Sequence, residues 1–259
     1  MRKPRPIYKY TRISDDLKNS IKESYLWFST SEFLNDPFDL VFRLSDTFMK
    51  ETLSQAAQEM HRDVIEKGKE IGRDIDAGHL LSTSIALLDT EWFIENSRDF
   101  FNKSFPYSVC CFTKSESNIL MWSHYAENHK GVCLIYDLKE TPEIWKFLFP
   151  VKYRKTFPIP ENMDEIPTKS LLTKSPEWAY EKEWRILYLM DQGKIPVNRE
   201  SFKGIIFGCR TDANQVRDLI KFCYDCGFKN LEFYRMQKDR KEFNLIKNKL
   251  TIPNYFSNT

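Results

Sequence analysis

Glu181, Glu183 and Arg185 stand one residue apart from each other in the stretch YEKEWR. Side chains alternate along a strand, so this spacing predicts two carboxylates and a guanidinium on one face. Tyr180, Lys182, Trp184 and Ile186 then take the other. Neighbouring carboxylates repel, and on a buried face at least one must be paired or protonated. An adjacent cation lowers a carboxyl pKa while a second carboxylate raises it. Opposed shifts of this kind separate an acid-capable carboxyl from a permanently charged one. Paired carboxylates also serve chemistry at sugars, where one stabilises an oxocarbenium-like centre and its neighbour orients the incoming group. On this reading Glu183 is the functional carboxylate, Glu181 its helper, and Arg185 holds one of them ionised. The plain alternative is a cross-strand ion pair, which contributes little when exposed.

Two further stretches concentrate polar and aromatic groups. In WSHYAENHKG, Trp122, Tyr125 and His129 fall at i, i+3 and i+7, one stripe of a predicted helix over 118–130 that Gly131 would end. The stripe is either a packing face or a wall for a planar ligand, and His129 near the helix end is expected to favour its protonated form. His124 and His129 are five apart, about 140° around a helix, which is poor spacing for a zinc pair. In NDPFD, Asn35, Asp36 and Asp39 place an amide and two carboxylates in a Pro-directed turn, either an Asx turn or part of a site. Tyr8, Lys9 and Tyr10 form a third polar–aromatic stretch, YKY. The four stretches are expected to converge on one cleft, as pocket linings do. Neither a G-x-G-x-x-G nor a P-loop pattern is present, and no G-x-S-x-G supports a serine hydrolase.

The elements that must position these groups read as strands interspersed with helices. Strands are predicted at Pro6–Arg12, Ser24–Thr30, Tyr107–Thr113, in GVCLIYDL, FPVKYR, EWRILYL, FKGIIFGC and NLEFYRM, and in EFNLIKN. Ser14 is a good N-cap for a short helix, and a helix in DANQVRDLIKFCYDCG starts near Asp212 and ends at Gly227. Residues 46–104 change to three-to-four apolar spacing with abundant charge. They read as a helical hairpin turning near Asp74–Gly78, inserted into the sheet-forming chain and peripheral to it. The connections are not regularly βαβ. The expected architecture is one α+β domain over 1–259, with a central mixed or antiparallel sheet, continuous or split, flanking helices and the insertion.

Composition bounds the rest. The 259 residues are 41% hydrophobic and 29% charged, as in ordinary globular chains, and aromatics reach 15%. The net charge of +2 gives no bulk case for nucleic-acid binding. No apolar run follows the basic MRKPRP, and none approaches the roughly 18 residues that span a bilayer, so a cytoplasmic protein without membrane partners is expected. The six cysteines are then expected as free thiols, and Cys223–Cys226 is a lone C-x-x-C without a matching second pair.

The chain resembles a bacterial family of uncharacterised soluble domains marked by an opening YKY, LWFS…FNDPFD, MWSHYAxxHKGVC and W-x-YExEWR. The matching residues are Tyr8–Tyr10, Leu26–Ser29 with Phe33 and Asn35–Asp39, Met121–Ala126 with His129–Cys133, and Trp178 with Tyr180–Arg185. That resemblance implies no activity. The FSTS run at Phe28–Ser31 and the E-x-E of YEKEWR also resemble mono-ADP-ribosyltransferases. That likeness implies a split sheet holding NAD as substrate, Glu183 on the nicotinamide ribose, Glu181 orienting the acceptor, and Ser29 at the cleft. Tyr8 or Tyr10, or Trp122 and Tyr125, would stack on nicotinamide. The first-strand arginine or histidine of those enzymes has no clear equivalent, since Arg12 comes late and Lys9 differs. The leading expectation is therefore an NAD-consuming transferase or glycohydrolase, a toxin or phage-defence effector, with no metal and with a protein or nucleic-acid acceptor. Two alternatives stay open. One is a non-enzymatic module binding a nucleotide-type small molecule or a peptide. The other is a nuclease with Asp36, Asp39, Glu181 and Glu183 around Mg²⁺ and Lys130 on the phosphate.

Overall fold

The computed structural model describes Lys3 and residues 5–40, 45–70, 72, 107–189 and 192–251. The chain divides into two compact units, where the sequence predicts one domain with an insertion. The first comprises Met1–Phe38, Tyr107–Lys155 and Lys174–Thr259, and the second Asp39–Pro106 and Thr156–Thr173. The fold is α+β, with a large mixed sheet.

In the first unit the elements run β1 (Ile7–Thr11), α1 (Asp15–Glu23), β2 (Tyr25–Phe28), β3 (Tyr107–Thr113), α3 (Ile119–Tyr125), β4 (Val132–Tyr136), α4 (Pro142–Trp145), β5 (Leu148–Pro150) and β6 (Lys152–Tyr153). After the two-residue β7 (Thr173–Lys174) come β8 (Glu183–Leu189), β9 (Gly193–Pro196), β10 (Phe202–Phe207), α6 (Ala213–Asp225), β11 (Glu232–Lys238) and β12 (Leu245–Lys249). The second unit holds α2 (Asp46–Glu70) and the short α5 (Ile166–Lys169). Ser45 Oγ accepts from Phe48 N at the start of α2. The second helix of the expected hairpin lies outside the described residues.

Eight strands form one sheet in the order β12-β11-β10-β4-β1-β3-β8-β5, and β2 pairs with β9 apart from it. Only β10 and β11 run parallel within the large sheet; α6 connects them, as a parallel crossover requires. The central strand β4, VCLIY, is buried at every position, which is what a strand covered on both faces needs. On one face Ile7, Leu134, Phe112, Trp184 and Ile186 pack with Leu17 and Ile21 of α1 and Leu219 and Ile220 of α6. On the other, Tyr8, Tyr10, Cys133, Ile135 and Ile206 pack with Met121 and Trp122 of α3.

The helix signals hold at both predicted caps. Ser14 Oγ accepts from Leu17 N, and Asp212 Oδ1 accepts from Asn214 N, with Gly227 at φ +84° after the helix. The FPVKYR segment divides into β5 and β6 instead of forming one strand. β9, in GKIP, carried too little apolar alternation to be seen from sequence.

Pairing is uneven. β1 meets β4 through five residue pairs and β3 meets β8 through seven, whereas β1 and β3 share only Tyr8 with Thr113. Past that pair, Lys9 Nζ donates to Cys111 O at 3.1 Å, so a side chain bridges the seam where a backbone ladder would run.

Candidate functional site: a buried carboxylate pair bridged by Lys174

YEKEWR is not a continuous strand. Pro176–Glu181 forms a 3₁₀ turn, Lys182 takes a left-handed conformation at φ +47°, and β8 begins at Glu183. Alternation therefore places Glu183 and Arg185 together but does not place Glu181. The turn brings Glu181 in from outside the strand.

Glu183 and Arg185 share the face occupied by Tyr8 and Tyr10, through the pairs Glu183–Thr113 and Tyr8–Thr113. Arg185 Nε lies 2.7 Å from Glu183 Oε1, and Nη2 lies 3.0 Å from Oε2, a two-pronged pair. Lys174 Nζ joins both carboxylates, 2.7 Å from Glu181 Oε2 and 3.3 Å from Glu183 Oε2. The second oxygen of Glu181 accepts from the Tyr125 hydroxyl at 2.5 Å, and that hydroxyl accepts from Asn35 Nδ2 at 3.0 Å. Lys174, Glu181, Glu183 and Arg185 are all at most 7% exposed. Backbone groups are fixed as well: Tyr153 Oη accepts from Glu183 N, and Thr113 Oγ1 donates to Glu181 O.

The two carboxyls are driven apart electrostatically. Burial alone would raise the Glu183 pKa, but the charge and hydrogen bonds of Arg185, followed by Lys174, outweigh it and hold the group at about 2. At Glu181 burial raises the pKa, and the Glu183 charge adds to it. The opposing pull of Lys174 and the Tyr125 hydrogen bond does not cancel this. Burial, then the hydrogen bond to Glu181, raises the Tyr125 pKa, keeping the phenol protonated as a donor.

The other expected residues divide. Asn35 and Tyr125 join the carboxylates, and His124 Nδ1 lies 2.9 Å from Tyr180 Oη beside them. Trp122 is fully buried, with Nε1 donating to Glu116 O and Tyr10 packed edge-on at 5.0 Å, so it is core and not a ligand wall. Tyr8 and Tyr10 are buried in the same cluster, and Tyr10 Oη donates to Ser115 O. Lys9 points to the opposite face, toward the seam. Ser29 exchanges backbone hydrogen bonds with Val109. Asp36 Oδ1 accepts from Phe38 N, an Asx turn.

The expected stripe ending at His129 is corrected. α3 stops at Tyr125, and Glu127, Asn128 and His129 all take positive φ, from +49° to +70°. Gly131 is not a left-handed cap but a point of close approach, where a Cβ would meet Thr11 O at 2.4 Å. Burial, and then the charge of Arg210, lowers the His129 pKa, the reverse of the helix-end expectation.

Among the described residues no three His, Cys, Asp or Glu side chains stand together to hold a metal ion, and Lys130 is exposed. Asp36, Glu181 and Glu183, three of the residues expected around Mg²⁺, thus form no such group. All six cysteines are free, and no described helix is long and apolar enough to cross a membrane. Lys174, the hub of the cluster, escaped sequence reading. Its signal was a lone cation closing the apolar run LLTK just before a Ser-Pro helix start.

The model of a family described as "Protein of unknown function (DUF2971)" matches residues 121–186. The match supports an uncharacterised domain family over a span that contains Tyr125, Lys174, Glu181, Glu183 and Arg185. No curated protein and no solved structure matches the chain.

Proposed function

We propose that the protein is an NAD-consuming enzyme of the ADP-ribosyltransferase kind, a transferase or glycohydrolase acting at the nicotinamide–ribose bond. The observation that carries this reading is the unequal treatment of two buried carboxylates bridged by one ammonium. Glu183 is held ionised by Arg185, while Glu181 has a raised pKa and ends on a phenol. Pairs whose environments push their pKa values apart are how sites divide electrostatic and proton-transfer roles.

By resemblance to such enzymes Glu183, the last glutamate of E-x-E, would face the ribose. Both of its oxygens are engaged by cations, so in this reading Glu183 anchors Lys174 and Glu181 takes the substrate side, reached through Tyr125 and Asn35. The C1′–N bond breaks and its electron pair leaves with nicotinamide. An acceptor hydroxyl, amine or water forms the new bond to C1′, and its proton passes to the Glu181 carboxylate. An enzyme of this class in a bacterium would serve as a toxin or phage-defence effector.

The test is nicotinamide release from NAD by the purified chain in EDTA. Release that falls at least ~100-fold in Glu181→Gln supports the assignment. No release by the wild-type chain, with water or with protein and nucleic-acid acceptors, overturns it.

A second reading, a nucleotide-binding module, rests on a cavity of about 700 Å³ lined by Lys9, Arg12, Ser14, Tyr25, Trp27 and Lys194. Lys9, Leu134 and Leu17 place it on the α1 face of the sheet, away from Glu183. Saturable nucleotide binding without turnover, weakened by Arg12→Ala, would favour that reading.

A further inference from the structure

The hairpin between β11 and β12 closes over a cavity of about 440 Å³. Four cations line it: Arg210, Lys238, Arg240 and Lys241. None of the four side chains forms an ion pair with a described residue. The cavity's two acids are Asp239 and Glu242. Asp239 Oδ1 accepts from the backbone N–H groups of Lys241 and Glu242 and so holds the turn. Four cations against two acids leave an excess of two positive charges. The lining is therefore locally positive.

Two observations indicate what this charge receives. Phe243, beside the cations on the hairpin, is 104% exposed, the most exposed large apolar side chain among the described residues. An aromatic ring presented to water next to unpaired guanidinium and ammonium groups suits a partner that carries both a planar ring and anions. His129 lines the same cavity, and its buried Nδ1 has no hydrogen-bond partner among the described residues, while Nε2 lies 3.1 Å from Ser123 Oγ. His129 is held there by the left-handed turn, with Arg210 N donating to His129 O at 3.0 Å.

We propose that this hairpin cavity binds single-stranded nucleic acid, with a base stacked on Phe243 and phosphates on Arg210, Arg240 and Lys241. Aromatic stacking combined with a cationic groove is how proteins hold single strands without reading their sequence. A duplex offers phosphates but keeps its bases stacked on each other, so Phe243 gives it nothing. An anionic membrane surface would meet one projecting apolar side chain next to Glu242, a weak anchor. The charged residues and Phe243 of this site lie on different elements from the carboxylate cluster, and the proposal does not depend on that cluster's activity.

The experiment uses the full chain and fluorescence anisotropy with a labelled 20-nucleotide mixed-sequence single strand, its duplex, and vesicles of phosphatidylserine and phosphatidylcholine. Binding to the single strand should weaken steeply as salt rises. Phe243→Ser, at a position that packs on nothing, should weaken single-strand binding about fivefold or more and leave duplex binding unchanged. Arg240→Glu with Lys241→Glu should weaken both by at least about tenfold. Circular dichroism checks that each variant folds. Absence of salt-sensitive single-strand binding overturns the proposal, as does binding that neither variant reduces. Tighter binding to duplex or to vesicles also overturns it. Nicotinamide release remains measurable in the same variants, so failure of this proposal is distinguishable from failure of the enzymatic one.

Discussion

Glu183 and Arg185, two residues apart on β8, face one another in a two-pronged ion pair with both side chains out of contact with water. A pair so placed is costly to break from one side. Removing a single partner strands a buried charge, whereas replacing both with apolar groups can be nearly neutral.

Glu183→Gln is accordingly expected to lower stability by about 3–5 kcal/mol, because Arg185 loses its counter-charge. Glu183→Leu with Arg185→Met should recover much of that loss. Chemical denaturation of the three proteins checks it, and a Glu183→Gln protein as stable as the wild type would show that the pair is not structural.

Glu181→Gln should behave differently. The amide oxygen can still accept from Tyr125 or Lys174, so the stability loss is expected to be the smaller of the two. Turnover of NAD is expected to fall at least ~100-fold. Equal activity losses in Glu181→Gln and a refolded, stable Glu183 variant would remove the division of roles between them.

The pH dependence of stability carries opposite signs at the two positions. The folded Glu183 pKa, about 2, lies below its ordinary 4.5, so its contribution is present above pH 4.5 and is lost as pH falls toward 2, about 3 kcal/mol in all. The folded Glu181 pKa is raised, so its contribution is present below 4.5 and is lost as pH rises through the folded value. Glu181→Gln should therefore flatten the stability curve above pH 4.5. Glu183→Gln should flatten it between 2 and 4.5. Denaturation series from pH 2 to 8 separate the two.

Gly208→Ala should destabilise the chain by about 1–3 kcal/mol, since the added Cβ would lie 2.0 Å from His129 O. Backbone cannot yield as a flexible side chain does, so the left-handed turn over Glu127–His129 should be displaced. The check is a loss of stability together with shifted His129 imidazole resonances. A Gly208→Ala protein with both unchanged would show that the contact relaxes without consequence.

Much of this fold was readable because its strands carry local signals. The EWRILYL run became β8, and Ser14 and Asp212 capped the helices they precede. The site was half readable. Glu183 and Arg185 share a face by strand period, which spacing states directly. Glu181 arrives through a positive φ at Lys182, which a lysine does not advertise, and Lys174 is brought in by tertiary path alone. The spacing of the tryptophan in WSHY left packing face and ligand wall both open, because an aromatic on a helix stripe has the same spacing whether it faces a core or a cavity. His129 was misplaced because three consecutive left-handed residues without glycine are rare enough that helix was the better local guess.

The seam between β1 and β3 gives the large sheet a mechanical character of its own. Five strands, β12 to β1, form one plate and three, β3 to β5, form another. Besides side-chain packing, one backbone pair, the Lys9 ammonium and the Tyr10 hydroxyl on Ser115 O couple the plates, whereas five to seven residue pairs join neighbouring strands at β1–β4 and β3–β8. The shortest backbone ladder between neighbouring strands of this sheet thus lies inside it and not at its rim. Parting the plates there breaks few backbone hydrogen bonds, and the apolar packing of the two faces is what resists it. The carboxylate cluster on β8 would travel with the smaller plate, and the first strand with the larger.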